Sequence, residues 1–478
     1  MRLITLALVT AALISLAGRP WAPGYIALAA FIPLLFALDG ERRKRRGALA
    51  GFIASLGPGI VAFEGVAPAE PWAYPLLVAV SGIWLALAGT TYTLIANRFG
   101  RYPALWSFPL LIVVAEFIPA QRWLFGHFAN GMTAIGYTQF DTPLLSLAGW
   151  SGVSGVSLAV VLVNLALYLA WRDRRFVPAA IATVSVAAAS FIPVPGGSVP
   201  KEQSRPLNVA VIQGAVPSVD SLMARFDRAA AERMLEPYKE LTALAGERGA
   251  DLVVWGETVL PQPVRDGQVP AYVAAALEPA SAALVGGVSF TQGQSANSAF
   301  YWEDGSLTEV YRKRALVPFN EPHYTAGTAL PPLGLNGVAL GIGICLDSVF
   351  GSLARDSVQR GAEVLVYITE DSFAVRTVTP ELHLRVTAFR AVETGRYTVF
   401  TNQSGPSAVF NERGKVIERI AHGEVAGVIA EVPAYTGVTP FVRYGDWAGG
   451  LATLVSLAWL VACARFPALI ARRPAPTH

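Results

Sequence analysis

Apolar residues fall into two regimes along the chain. Long unbroken runs occupy residues 3–18, 22–38, 47–65, 72–96, 104–119, 151–171, 177–193 and 447–467. A helix needs roughly 20 apolar residues to cross the hydrocarbon of a bilayer; most of the runs approach that length, and the first two are slightly short. Between 200 and 440 the apolar runs shrink to strand length and alternate with amphipathic helical stretches such as 220–248 and 379–396. The pattern predicts a polytopic α-helical membrane domain of eight transmembrane helices carrying one α/β domain. The expected boundaries are a membrane domain over 1–195, a linker "GGSVPKEQSRP" over 196–206, the α/β domain over 207–435, and a last helix with its tail over 436–478.

Lys and Arg orient the helices. "ERRKRR" (41–46) follows the second run, Arg98 and Arg101 the fourth, "RDRR" (172–175) the sixth, and Arg472 and Arg473 the eighth. Basic residues gather on the cytoplasmic side, so both termini are expected there and the α/β domain on the outer face of the cytoplasmic membrane. The first run, with Arg2 and Ala17-Gly18, also has the outline of a signal peptide, whose removal leaves the remaining topology unchanged.

Composition agrees. The chain is 53% hydrophobic and 15% charged, whereas soluble domains carry about a quarter charged residues. A net charge of +3 without a basic stripe gives no support to a nucleic-acid partner. The five histidines show no metal-ligand spacing, and "GIG" at 341–343 lacks the rest of a dinucleotide loop, so neither metal nor cofactor is expected. Cys345 and Cys463 cannot make a disulfide framework.

Three strand-like runs of the α/β domain end on reactive groups. "DLVVWGETVLP" leads to Glu257, "GSLTEVYRKRALVPFNE" to Lys313, and "VALGIGIC" to Cys345. Taken singly these are a solvated carboxylate, a surface lysine and a small core thiol. Together they form a chemical kit: a carboxylate to take the thiol proton, an ammonium to favour thiolate and oxyanion, and a nucleophile. The backbone N–H of Leu346, just after the nucleophile, offers a second oxyanion donor. That set suits acyl transfer from an ester or amide through a thioester.

"VVWGETVLP", "YRKRALVPFNE" and "GIGICLDSVF" resemble the three catalytic signatures of the nitrilase, or carbon–nitrogen hydrolase, superfamily. The flanking membrane runs are similar to those of its apolipoprotein N-acyltransferase branch. So are "VIQGAVP" (211–217), "ELHLRVTAFRAVETGRYTVFTNQSG" (381–405) and "TGVTPFVRYGDW" (436–447). The resemblance implies an αββα sandwich and a ping-pong reaction. Cys345 would take a fatty acyl chain from a membrane phospholipid and pass it to the N-terminal amine of an S-diacylglyceryl-cysteine lipoprotein. Glu257 would be the base, Lys313 the oxyanion partner, and Glu321 an assisting glutamate. A monomer suffices, because the membrane itself concentrates both substrates. A membrane-anchored amidase or hydrolase, or an acyltransferase for another amine, is the alternative.

The chain leaves the family pattern at defined places. Asp347 stands where the family has Glu, and "EDSFA" (370–374) replaces an Asn-Asp-x-Trp-Phe sequence, putting Glu370 and Phe373 at expected substrate-pocket positions. Arg225-Phe226-Asp227 replaces a Lys-Trp-Asp context, and "HFANG" (127–131) an aromatic loop. A carboxylate at 370 raises a neighbouring thiol's pKa unless paired, and Arg385 or Arg390 is the expected partner.

Overall fold

The structure is a computed structural model that describes residues 1–465 except 198, 202–203, 217–219 and 221–222. The predicted tail with Arg472 and Arg473, parts of the linker and the start of the 220–248 helix therefore lie outside the described residues. The chain forms two compact units, Met1–Pro193 with Asp446–His478, and Val194–Gly445.

The first unit is helical. Its helices Ala73–Phe99, Pro143–Asp173 and Trp447–Arg465 are long and apolar enough to span a membrane. Arg101–Phe117 and Arg122–Phe128, bent by 53°, make a fourth candidate. Among the described residues the structure thus supplies three or four such helices where the sequence has eight apolar runs. The run 22–38 shows why. It breaks into a 3-10 turn, Gly24–Ala29, and a short helix, Ile32–Leu38. Backbone groups freed by such a break need partners in an apolar setting. Buried Asn164 supplies them, accepting from the Phe31 N–H at 2.8 Å and donating to the Ala27 carbonyl at 2.8 Å.

Ion pairs gather the basic junctions at one end of this unit. Arg101 lies 2.9 Å from Asp39 and 2.8 Å from Asp173. Asn97 donates to the Arg42 carbonyl at 2.8 Å. The ion pairs hold three helical ends together, at Asp39, Arg101 and Asp173, and the Asn97 bond adds the end of Ala73–Phe99.

Helices Lys44–Ala62 and Ala73–Phe99 meet through glycines. A Cβ at Gly51 would stand 2.0 Å from the Leu85 carbonyl oxygen, and one at Gly89 2.1 Å from that of Gly47. Small residues of this kind let helix backbones approach closely where no hydrophobic force drives them together.

The second unit carries β1 (Leu207–Gln213), β2 (Leu252–Val254), β3 (Val264–Arg265), β4 (Ala282–Thr291), β5 (Gln294–Glu303) and β6 (Ser306–Arg312). There follow β7 (Leu333–Leu335), β8 (Val338–Ile344), β9 (Val364–Thr369), β10 (Thr398–Asn402), β11 (Ser407–Phe410), β12 (Val416–Ile420) and β13 (Ala426–Val432). One sheet runs β13-β1-β2-β4-β5-β6 with β3 beside β4; the other runs β12-β11-β10-β9-β8-β7.

Alternation along β1 explains the layering. Leu207, Val209 and Val211 pack with Leu340, Ile344 and Val366 of the other sheet, while Ala210 and Ile212 pack on Met234 and Tyr238 of helix Arg228–Glu247. Helices Gly351–Gln359 and Thr379–Thr394 lie on the outer side of the second sheet. The result is a helix–sheet–sheet–helix sandwich. In the parallel trio β8, β9 and β10, Ile344 pairs with Ile368 and Asn402 with Thr369. Cys345, Glu370 and Gln403 thus leave the sheet at nearly the same level.

Replacing Gly51 with Val forces a side chain into the Leu85 backbone. Overpacking costs about 1–3 kcal/mol, so the detergent-solubilised variant should unfold on the order of 5 °C lower in a thermal scan. An unchanged midpoint would remove the close helix contact from the account of this unit.

Candidate active site

Glu257 follows β2 in a loop laid against β4. A Cβ at Gly286 of β4 would lie 2.4 Å from the Gly256 oxygen and 2.5 Å from the Glu257 Cα, so only glycine admits the loop. Two backbone bonds fasten it, Glu257 N–H to Thr369 O at 3.1 Å and Gly286 N–H to Gly256 O at 3.1 Å. Lys313 is the residue after β6, and its backbone N–H donates to Asn297 O at 2.8 Å.

The Lys313 ammonium is 1% exposed and lies 2.9 Å from the Glu257 carboxylate and 3.1 Å from that of Glu321. Asn297, on β5, donates from Nδ2 to both carboxylates, at 2.6 and 2.7 Å. The second Glu321 oxygen accepts from the Val317 N–H at 2.7 Å. Sequence reasoning missed Asn297, which sits in an ordinary strand without a motif of its own.

Cys345 follows β8 with φ +47°, a left-handed backbone that costs a non-glycine residue about 1 kcal/mol or more. It opens a 3-10 turn, Cys345–Val349. The N–H groups at the start of such a turn have no acceptor within it, and the Leu346 N–H is one of them. Burial pushes the Cys345 thiol well up, the Glu257 carboxylate adds to this, and Lys313 opposes it. The thiol is therefore protonated at rest and needs a base. Burial also raises the Glu257 carboxyl; Lys313 opposes and Glu321 adds. Burial alone would lower Lys313, but the charges of Cys345, Glu257 and Glu321 outweigh it and keep the ammonium cationic. Glu257, Lys313, Glu321 and Cys345 thus form one buried electrostatic cluster.

Asp347 does a different job. Its carboxylate accepts from the N–H groups of Ile344 (3.0 Å), Ala315 (2.7 Å) and Arg314 (3.1 Å) and from the Tyr311 hydroxyl (2.9 Å). It ties the turn after Cys345 to the segment after Lys313. Glu370 lies at the end of β9 and accepts from the Ser372 N–H at 2.7 Å. The expected arginine partner is replaced by this local bond, while Arg390 pairs with Glu393 at 2.9 Å and Arg385 lies 3.9 Å from Glu381. Burial raises the Glu370 carboxyl to about 7; the Ser372 bonds oppose, and Glu257 and Asp371 add. Phe373, in the short turn Ser372–Ala374, is 39% exposed. Among the described residues no group of three His, Cys, Asp or Glu side chains is arranged to hold a metal ion.

The arrangement predicts an unusual stability response in Lys313→Met. Removing one partner of a buried ion pair costs about 3–5 kcal/mol, here because two carboxylates are left facing each other. The Glu257 carboxyl, already raised by burial, then rises further above its unfolded value, and stability linked to a raised carboxyl is gained as pH falls. The deficit against wild type in chemical denaturation should therefore be largest above pH 7 and shrink toward pH 5. A deficit independent of pH would mean that the ammonium does not screen this pair.

The carbon-nitrogen hydrolase family matches residues 208–440, and the apolipoprotein N-acyltransferase N-terminal domain matches residues 10–166. An apolipoprotein N-acyltransferase of Geobacter metallireducens is 28% identical, covering 91% of this chain and 92% of its own. The one of Gloeobacter violaceus is also 28% identical, covering 94% and 92%. Among solved structures, an amidase from Nesterenkonia is 19% identical with a TM-score of 0.37, covering 56% of this chain and 98% of its own. Two matched domains that together take in both units, with relatives aligned over nearly the full length, place the chain in the apolipoprotein N-acyltransferase family of acyltransferases.

Proposed function

We propose that the protein transfers a fatty acyl chain from a membrane phospholipid, through a Cys345 thioester, to the N-terminal amine of an S-diacylglyceryl-cysteine lipoprotein. The carrying observation is the buried cluster: a protonated thiol on a left-handed turn, a carboxyl raised by burial and an ammonium fixed between two carboxylates.

Glu257 takes the thiol proton as sulfur attacks the ester carbonyl. The tetrahedral oxyanion forms against the Lys313 ammonium and the Leu346 N–H. Its collapse breaks the C–O bond, and the leaving lysophospholipid oxygen receives the proton from Glu257. The neutral amine of the lipoprotein then attacks the thioester carbonyl. Glu257 accepts the amine proton, the C–S bond breaks, and the returning proton restores the thiol. Asn297 and Glu321 hold Glu257 and Lys313 in register throughout. The near-complete burial of Lys313, Glu257 and Cys345, at 1, 4 and 8% exposure, shields the thioester from water and favours transfer over hydrolysis. Glu370 and Phe373 border the acceptor side.

The basic junctions held together by Arg101, Asp39 and Asp173 support a cytoplasmic position for that end of the helical unit. With eight crossings the termini share that side and the sandwich works as a monomer on the outer face of the cytoplasmic membrane.

Purified protein incubated with labelled phospholipid should form a hydroxylamine-sensitive acyl adduct that Cys345→Ser lacks. Glu257→Gln should slow adduct formation about 10²–10⁴-fold. A diacylated lipopeptide should discharge the label onto its amine. No adduct with any phospholipid would sink the acyltransferase reading, and discharge to water alone would make the protein a hydrolase.

A further inference from the structure

A second buried network lies directly behind the nucleophile, and the reaction above does not use it. His383, on helix Thr379–Thr394, is 4% exposed. Its Nε2 lies 3.2 Å from the Cys345 carbonyl oxygen and 2.9 Å from Ser348 Oγ. Its Nδ1 lies 3.2 Å from Asp371, which is 2% exposed. Asn402 fixes that carboxylate, donating from Nδ2 at 2.8 Å and accepting the Asp371 N–H at 3.3 Å. Thr387 donates to Ser348 at 3.1 Å, and the Phe400 ring packs edge-on against the imidazole at 5.2 Å.

The partners constrain the protons, and Ser348 leaves one choice open, because its hydroxyl can accept from an Nε2–H or donate to a bare Nε2. A carbonyl oxygen only accepts, so a hydrogen bond from the ring to Cys345 places a hydrogen on Nε2. A carboxylate only accepts, so the contact to Asp371 requires one on Nδ1. Both hydrogens together make an imidazolium.

We propose that His383 is a positioning residue for Cys345, an imidazolium that grips the carbonyl of the left-handed nucleophile and cancels the Asp371 charge lying behind the thiol. The grip holds the turn that presents sulfur and the Leu346 N–H. The cancellation matters because Asp371 is among the charges that push the Cys345 thiol up. Groups facing the ring come from every element around it: Asp371 after β9, Cys345 and Ser348 after β8, Thr387 on its own helix, Asn402 and Phe400 on β10, and Glu257 at longer range. Burial alone would lower the imidazole, but Asp371, the Cys345 carbonyl and Glu257 raise it above its ordinary value.

The proposal rests on Cys345 as nucleophile, but its test needs neither acyl donor nor acceptor. In full-length protein carrying Cys463→Ala, the rate of Cys345 alkylation by iodoacetamide is followed against pH. His383→Gln keeps an N–H donor and loses the charge. The proposal expects its rate at pH 7 to fall about tenfold, equivalent to one pKa unit in the thiol. Adding Asp371→Asn removes the uncompensated carboxylate and should restore the rate to within about threefold of wild type. A merely structural histidine would make the double variant no faster than His383→Gln, and that result, or an unmoved single-variant profile, overturns the proposal. Asp371→Asn alone carries the test if His383→Gln is not recovered folded. The wild-type profile should show an imidazolium inflection above 6.5, and this substitution should move it to lower pH. An inflection that is absent or stays in place overturns the proposal as well. Failure of acyl transfer in the thioester assay would leave these alkylation results standing, so the two readings fail separately.

Discussion

The site depends on one buried ammonium. Taking Lys313 out of water is costly, and the cost is met only by fixed opposite charges and hydrogen bonds close by. Glu257 and Glu321 supply the charge, and Asn297 holds both carboxylates from the neighbouring strand. That requirement draws the end of β2, the middle of β5, the end of β6 and the turn at 317–321 to one point. The glycine at 286 follows from it, because the loop bearing Glu257 has to lie directly on β4. An ammonium that is held rather than solvated also needs no reorganisation when negative charge develops on a reacting carbonyl.

The proposed nucleophile arrives from the other sheet. Glu257 and Lys313 follow strands of the first sheet, and Cys345 follows a strand of the second, so the cluster is assembled across the sandwich seam. Asp347 spans the seam, joining the turn after Cys345 to residues 314 and 315 by backbone bonds. Asp in place of Glu at this position therefore changes a tether. The shorter side chain leaves the proton-transfer groups intact and sets how closely the nucleophile's turn approaches the segment after Lys313.

Much of this was legible in the sequence because strand-end chemistry is local. Glu257 and Cys345 each follow a short apolar run and Lys313 a more polar strand-like one, and each run marks its own residue. The change from long apolar runs to short alternating ones marks the shift from helical unit to sandwich. Apolar length alone was a poorer guide inside the helical unit, since it does not report breaks. Residues 22–38 are apolar throughout, yet their helix is interrupted, with Asn164 satisfying the gap from more than a hundred residues away. Asn297 was invisible for the same reason: its role exists only where three distant segments converge. His383 belongs to a helix whose residues from Leu382 to Thr394 are buried regardless of polarity, which only the structure reveals. A histidine and two arginines on such a helix must find partners inside. Glu370 found its partner two residues on, a local turn bond that a search for arginines overlooks.

With the proposed base and the proposed nucleophile on separate sheets, reactivity becomes a property of the finished fold. Before the two inner faces mate, Cys345 is an ordinary thiol on an isolated sheet, with no base, no ammonium and no cradle for an oxyanion. Local pairing within either sheet does not create the site; only closure of the whole sandwich does. An unassembled chain therefore lacks the site, and a destabilised chain loses it once its layers part.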